Sequence, residues 1–118
     1  MTSEPTSQGR IIISPRAIAT IVARAASQSY GVVGIAPKNI VDGLANALAH
    51  DPRHGVDVQM NGDEILIDVF IIVEYGTRIA SVATSVANAI QYNVERAIGV
   101  PVAAVDVHVQ GLRISNID

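Results

Sequence analysis

Four side chains combine types and spacing that could do acid–base chemistry or hold a hard cation: Asp57, Asp68, Asp106 and His108. Each falls on the polar side of a segment that alternates apolar and polar residues. Neighbouring strands would therefore bring carboxylates and an imidazole onto one surface. Such a group could move a proton or ligate a divalent cation. The competing reading is the ordinary polar face of a half-solvated sheet, and no pocket-forming motif accompanies the four residues. We assign no catalytic residue, no cofactor and no metal from them, and read the chain as a protein that is not an enzyme.

The other candidate motifs are weaker. His50-Asp51-Pro52-Arg53-His54 places two imidazoles four residues apart, but Pro52 between them breaks the helix that would put both on one face. A solvated loop accounts for the cluster. Gly31-Val32-Val33-Gly34 has the spacing of an RNA-binding GXXG loop. It lacks the positive surround that clamps a phosphate backbone, since Lys38, the chain's single lysine, comes later. A glycine-bounded strand fits better. The aromatics Tyr30, Phe70, Tyr75 and Tyr92 are too scattered for a base-stacking platform. No Walker loop, dinucleotide fingerprint or serine nucleophile elbow occurs.

The elements that must position these residues follow from local patterns. Arg10 to Ile13 favours a strand. Ser14-Pro15 then supplies a helix N-cap and a first-turn proline, and Ile18, Ile21, Val22 and Ala25 recur at helical spacing to about Ser27. Gly31 to Ile35 suits a short strand. Ile40, Val41, Leu44 and Leu48 fit either a short helix or an ordered loop. Asn61-Gly62 predicts a tight hairpin, with Val58 opposite Ile65 and Val56 opposite Ile67. A four-residue loop would set Asp57 opposite Asp68, a like-charge pair, so the shorter turn is expected. Ile65 to Tyr75 is a long strand with a wholly β-branched face: Ile65, Ile67, Val69, Ile71 and Val73. Thr77 is a plausible N-cap for a helix from Arg78 to Ile98, which Gly99 and Pro101 end. A last strand runs from Val102 to about Val109. Strands alternating with two crossover-length helices predict an α+β fold: a two-layer α/β sandwich, with a mixed sheet of 4–5 strands and both main helices on one face.

Composition bounds the rest. The 118 residues fit one domain, read as a disordered tail over 1–9 and a single domain over 10–118. Hydrophobic residues make up 49% of the chain against 16% charged, and the formal net charge is −3. That balance excludes a basic nucleic-acid footprint and an electrostatic grip on anionic lipid. Without cysteine there is no disulfide framework or thiolate metal site. The longest strictly apolar run, Val69 to Val73, is far short of the ~20 residues that span a bilayer. Residues 1–9 carry no secretory-signal pattern. We expect a cytoplasmic protein with no direct membrane insertion and no nucleic-acid partner.

One oddity remains on the face of the long strand turned away from the helices. Leu66, Phe70 and Ile72 accompany Asp68 and Glu74 there. Three large apolar residues along one strand of so weakly charged a chain indicate a covered surface. Its cover is either the 40–48 segment or a second copy of the sheet in a symmetric homo-oligomer; we favour the second copy. The expected interaction surface comprises Leu66, Asp68, Phe70, Ile72, Asp106, His108 and Gln110.

The order of segments resembles the alkaline-shock-protein family of bacterial envelope-stress proteins. The likeness runs through Gly9-Arg10-Ile11-Ile12-Ile13-Ser14, Tyr30-Gly31-Val32-Val33-Gly34-Ile35 and Val69-Phe70-Ile71-Ile72-Val73-Glu74-Tyr75-Gly76. It closes with Ile98-Gly99-Val100-Pro101-Val102 and Val105-Asp106-Val107-His108-Val109-Gln110-Gly111. The resemblance covers about Gly9 to Ile114. It implies a non-enzymatic oligomerising scaffold of the envelope-stress response, held peripherally at the membrane by a membrane-anchored protein partner. The alternative it implies is an accessory subunit of a fatty-acid or dihydroxyacetone kinase-like enzyme. The family defines no catalytic residues to carry over.

Overall fold

A computed structural model describes residues 2–6, 9–37 and 52–114. The elements are β1 (Thr2–Thr6), β2 (Gly9–Ile13), α1 (Pro15–Ser27), β3 (Val32–Ile35), a 3-10 turn (Pro52–Gly55), β4 (Val56–Asn61), β5 (Glu64–Glu74), α2 (Ile79–Ile98) and β6 (Ala104–Arg113). The segment 40–48 lies outside the described residues.

α1 begins where its cap residues dictate. Ser14 is extended, its hydroxyl accepts the Ala17 N–H at 3.2 Å, and Pro15 opens the first turn. α2 ends on Gly99 in the left-handed conformation, φ 73, with its N–H returned to the Glu95 carbonyl. Its start differs from expectation. Arg78, not Thr77, is the N-cap and gives no side-chain cap bond, because the Thr77 hydroxyl instead donates to the Glu74 carbonyl at 2.7 Å. That hydroxyl closes the turn after β5.

β5 is the centre of the main sheet. β6 lies parallel along one edge of it from Leu66 to Glu74, so β3 and β4 share the other edge end to end, both antiparallel. The sheet is mixed, as expected. β5, α2 and β6 form a βαβ unit: twenty helical residues at ~1.5 Å each carry the chain ~30 Å back, which returns Ala104 to a place beside Leu66. A carboxylate fastens the return, since Glu95 Oε2 accepts the Val102 N–H at 2.8 Å.

One layer of side chains forms the core. Ile65, Ile67, Val69, Ile71 and Val73 are buried under Ile18 and Val22 of α1 and Val82, Val86, Ile90 and Val94 of α2. Both helices therefore cover the same face of the sheet.

Two expectations are corrected. The hairpin turns on Gly62-Asp63, with Asn61 opposite Glu64 and Gly62 at φ 59, so Val56 pairs with Val69, Val58 with Ile67 and Asp57 with Asp68. Positive φ at the first central position alone is the type II′ arrangement, whereas a turn on Asn61-Gly62 would need it at Asn61. The two-residue offset adds Met60 opposite Ile65 on the core side. At ~0.8 kcal/mol per buried methylene, that gain outweighs a solvent-side carboxylate repulsion of ~1 kcal/mol or less. Secondly, Thr2–Thr6, assigned above to a disordered tail, pairs antiparallel with Gly9–Ile13 in a two-stranded sheet separate from the main one.

At the junction of β3 and β4, a Cβ on Gly55 would run into the Ala36 carbonyl oxygen and the Ile35 side chain, whereas one on Gly34 meets nothing within 4 Å. Gly55→Ala should lower stability by ~1–3 kcal/mol and Gly34→Ala by well under 1 kcal/mol, measured from urea-unfolding midpoints.

Candidate interaction surface

The outward face of the sheet is built by alternation. On β5, Leu66, Asp68, Phe70 and Ile72 are half-buried while their odd-numbered neighbours are buried beneath the helices. The register then fixes what stands beside each. Leu66 lies between Gln59 and Ala104, and Asp68 lies between Asp57 and Asp106. Phe70 is paired with His108, and Ile72 is flanked by Gly34 and Gly111.

Asp57, Asp68 and Asp106 thus stand abreast on three adjacent strands, and the predicted convergence of carboxylates occurs. The imidazole joins the middle one: His108 Nε2 lies 2.9 Å from Asp68 Oδ1, with the side chains 43% and 28% exposed. The same imidazole stacks on the Phe70 ring, with centroids 4.4 Å apart and planes 14° from parallel. His108 is held by a carboxylate at one edge and an aromatic ring on its face, which fixes its orientation. Among the described residues, no group of three or more acidic, histidine or cysteine side chains is arranged to hold a metal ion.

Gln110 is displaced from the simple alternation. Val109 pairs with Ile71 and Gly111 with Ile72, so Gln110 is the extra residue of a bulge. Gly34 and Gly111 bring no side chain to the flanks of Ile72, so half-buried Phe70 and Ile72 form the apolar end of this face. His54 lies in the 3-10 turn Pro52–Gly55, and His50 lies outside the described residues. Gly31 precedes a bulged strand and Gly34 lies within it, paired with Ile72, so the segment is not a phosphate-clamping loop.

A second surface at one end of the sheet was missed. Tyr30 is 85% exposed and Tyr75 63%. Tyr30 borders two adjoining depressions of about 380 and 240 Å³, which also share Thr77. The legible signal was the repeated Tyr-Gly at Tyr30-Gly31 and Tyr75-Gly76. Both glycines have positive φ, 86 and 100, and they mark the ends of strands joined by the Glu74 N–H to Gly31 carbonyl bond.

The Asp68–His108 contact is partly solvated and should contribute little to folding. A double-mutant cycle on Asp68→Ala and His108→Ala should return a coupling of ~1 kcal/mol or less in urea unfolding. A coupling of several kcal/mol would show that this pair is structural.

Comparison with known proteins agrees with this architecture. Among solved structures, the copper form of the MamM CTD covers 86% of this chain and 90% of its own, with a TM-score of 0.51 at 18% identity. The H285A form of the same domain gives 0.50 at 16% identity, covering 87% and 100%. Those likenesses concern fold alone. In sequence, the chain is 43% identical over 113 residues to the uncharacterized protein YloU of Bacillus subtilis (strain 168), covering 94% of each. It is 30% identical over 111 residues to the uncharacterized protein Spy1614 of Streptococcus pyogenes serotype M6, covering 92% of each. Residues 3–114 match the family of alkaline shock protein 23, described by its cell envelope-related function. The match spans nearly the whole described fold, and the chain belongs to that alkaline-shock family.

Proposed function

We propose that this chain is a non-enzymatic interaction protein of the envelope-stress type, which assembles with copies of itself through the outward face of its sheet. The observation that carries this is the half-buried apolar pair Phe70 and Ile72 on the outward face, continued beyond the acidic row by Leu66. Neither helix covers it, because both pack on the opposite face. Asp68, Asp106, His108 and Gln110 form the polar surround, the composition of a contact patch with an apolar centre. The flanking Gly34 and Gly111 leave room for an apolar side chain of a second copy to seat against Ile72.

In this reading the protein works on the cytoplasmic side and reaches the envelope through a membrane-anchored protein partner. Among the described residues, no helix is long and apolar enough to cross a membrane. The family's cell envelope-related function supports the location.

Multi-angle light scattering tests the assembly. The parent chain should exceed monomer mass, and Phe70→Asp should lower that mass while leaving the circular-dichroism spectrum unchanged. A monomeric parent, or an unchanged mass in the variant, contradicts the proposal. Stoichiometric capture of a kinase-like enzyme, with no copies of the chain retained, would favour the accessory-subunit alternative instead.

A further inference from the structure

The two edges of the main sheet are built differently. The β3/β4 edge is divided into two short strands. It carries a bulge between Val32 and Gly34 and is interrupted where Ala36 meets Gly55, with Pro37 and Pro52 at the break. Such devices blunt an edge against further pairing. β6 forms the other edge, and from Ala104 to Val109 it runs without bulge, proline or lysine. Among the described residues, no strand pairs with its outer side. An edge of this kind presents an unpaired row of backbone donors and acceptors, a template for another strand.

Backbone geometry identifies the groups on offer. The Ala103 N–H is bonded to the Ile65 carbonyl, and the Arg113 carbonyl accepts the Tyr75 N–H. Ala103 precedes the strand and Arg113 lies beyond the Gln110 bulge, which shifts the alternation by one residue. The Phe70 carbonyl and the Glu74 N–H of β5 are taken by the β3 side, so the odd-numbered residues of β5 face β6. In the parallel register these bond Ala104, Asp106 and His108, and the N–H and C=O groups of Val105, Val107 and Val109 point outward.

We infer that β6 pairs antiparallel with β6 of a second copy, about a two-fold axis at Val107, joining two sheets into one. Charge selects this register from its neighbours. An axis at Asp106 sets two aspartates face to face, and an axis at His108 does the same with two imidazoles. The axis at Val107 sets Asp106 opposite His108 of the second copy, twice over by symmetry. On the helix side it places Val105 opposite Val109 and Val107 opposite itself, so the half-buried valine row of β6 gains apolar cross-strand neighbours. On the outward side it puts His108 between its own Asp68, 2.9 Å away, and the second copy's Asp106. The join shares with the preceding proposal only the identity of the partner, and it uses an edge where that one uses a face.

The absence of cysteine from the chain makes the register directly testable. Residues on the axis of a hydrogen-bonded antiparallel pair have Cα atoms ~5.5 Å apart, within disulfide reach. Residues two positions along lie beyond the ~7 Å limit. Val107→Cys, oxidised in air with a copper–phenanthroline catalyst, should give a covalent dimer, whereas His108→Cys and Ala104→Cys should not. As a second readout, Val105→Pro removes an outward N–H and leaves the β5 ladder whole, so it should reduce the light-scattering mass by about twofold. Equal cross-linking at all three cysteine positions, none for Val107→Cys, or an unchanged mass in Val105→Pro overturns the edge join. Because Phe70→Asp probes the face independently, either surface can fail while the other stands.

Discussion

All hydrogen-bonded pairing in the main sheet passes through β5. β6 takes its full parallel ladder from one side of that strand, and β3 and β4 divide the other. The buried face of the same strand supplies the floor on which α1 and α2 both rest. Its unbroken β-branched series favours extended backbone and stiff side chains that pack under a helix layer. The strand thereby fixes the sheet order, the side on which the helices lie and the residues turned away from them.

Two-sidedness is the functional consequence. Period-two alternation along β5 sends one set of side chains to the core and the other to the opposite surface. That opposite surface carries both half-buried apolar residues and a row of three aspartates abreast. With the helices on the other face, this surface and the β6 edge are, like the exposed Tyr30–Tyr75 end, left uncovered by the described elements. The edge contributes backbone hydrogen bonds and the face contributes apolar area. These two kinds of contact differ in physical origin and respond to different substitutions.

Helix ends were legible because they rest on local chemistry: Ser14-Pro15 at one start and Gly99 at one finish need only their immediate neighbours. The core face was legible through alternation, and so was the outward position of Leu66, Phe70 and Ile72. Hairpin register was not. An alternating pattern is unchanged by a two-residue slip, and the deciding quantity was the burial of Met60 against one exposed charge repulsion. The abreast arrangement of Asp57, Asp68 and Asp106 depended on that register and on the parallel docking of β6, neither of which a local pattern specifies. Thr77 does not cap α2 because its hydroxyl donates to the Glu74 carbonyl, a choice that the pattern of residues alone does not show. Tyr30 and Tyr75 were passed over because 45 residues separate them in sequence, and only the β3–β5 pairing brings their strand ends together.

In the proposed assembly the outward sheet face is a contact between copies. Dilution-dependent NMR of the full chain tests it most directly, following the Leu66 and Ile72 methyl groups and the Phe70 ring. Their resonances should move together as concentration falls, while those of solvent-facing positions on α2, such as Asn88 and Tyr92, stay fixed. Resonances of the sheet face that do not change with concentration, or changes confined to α2, would contradict the account.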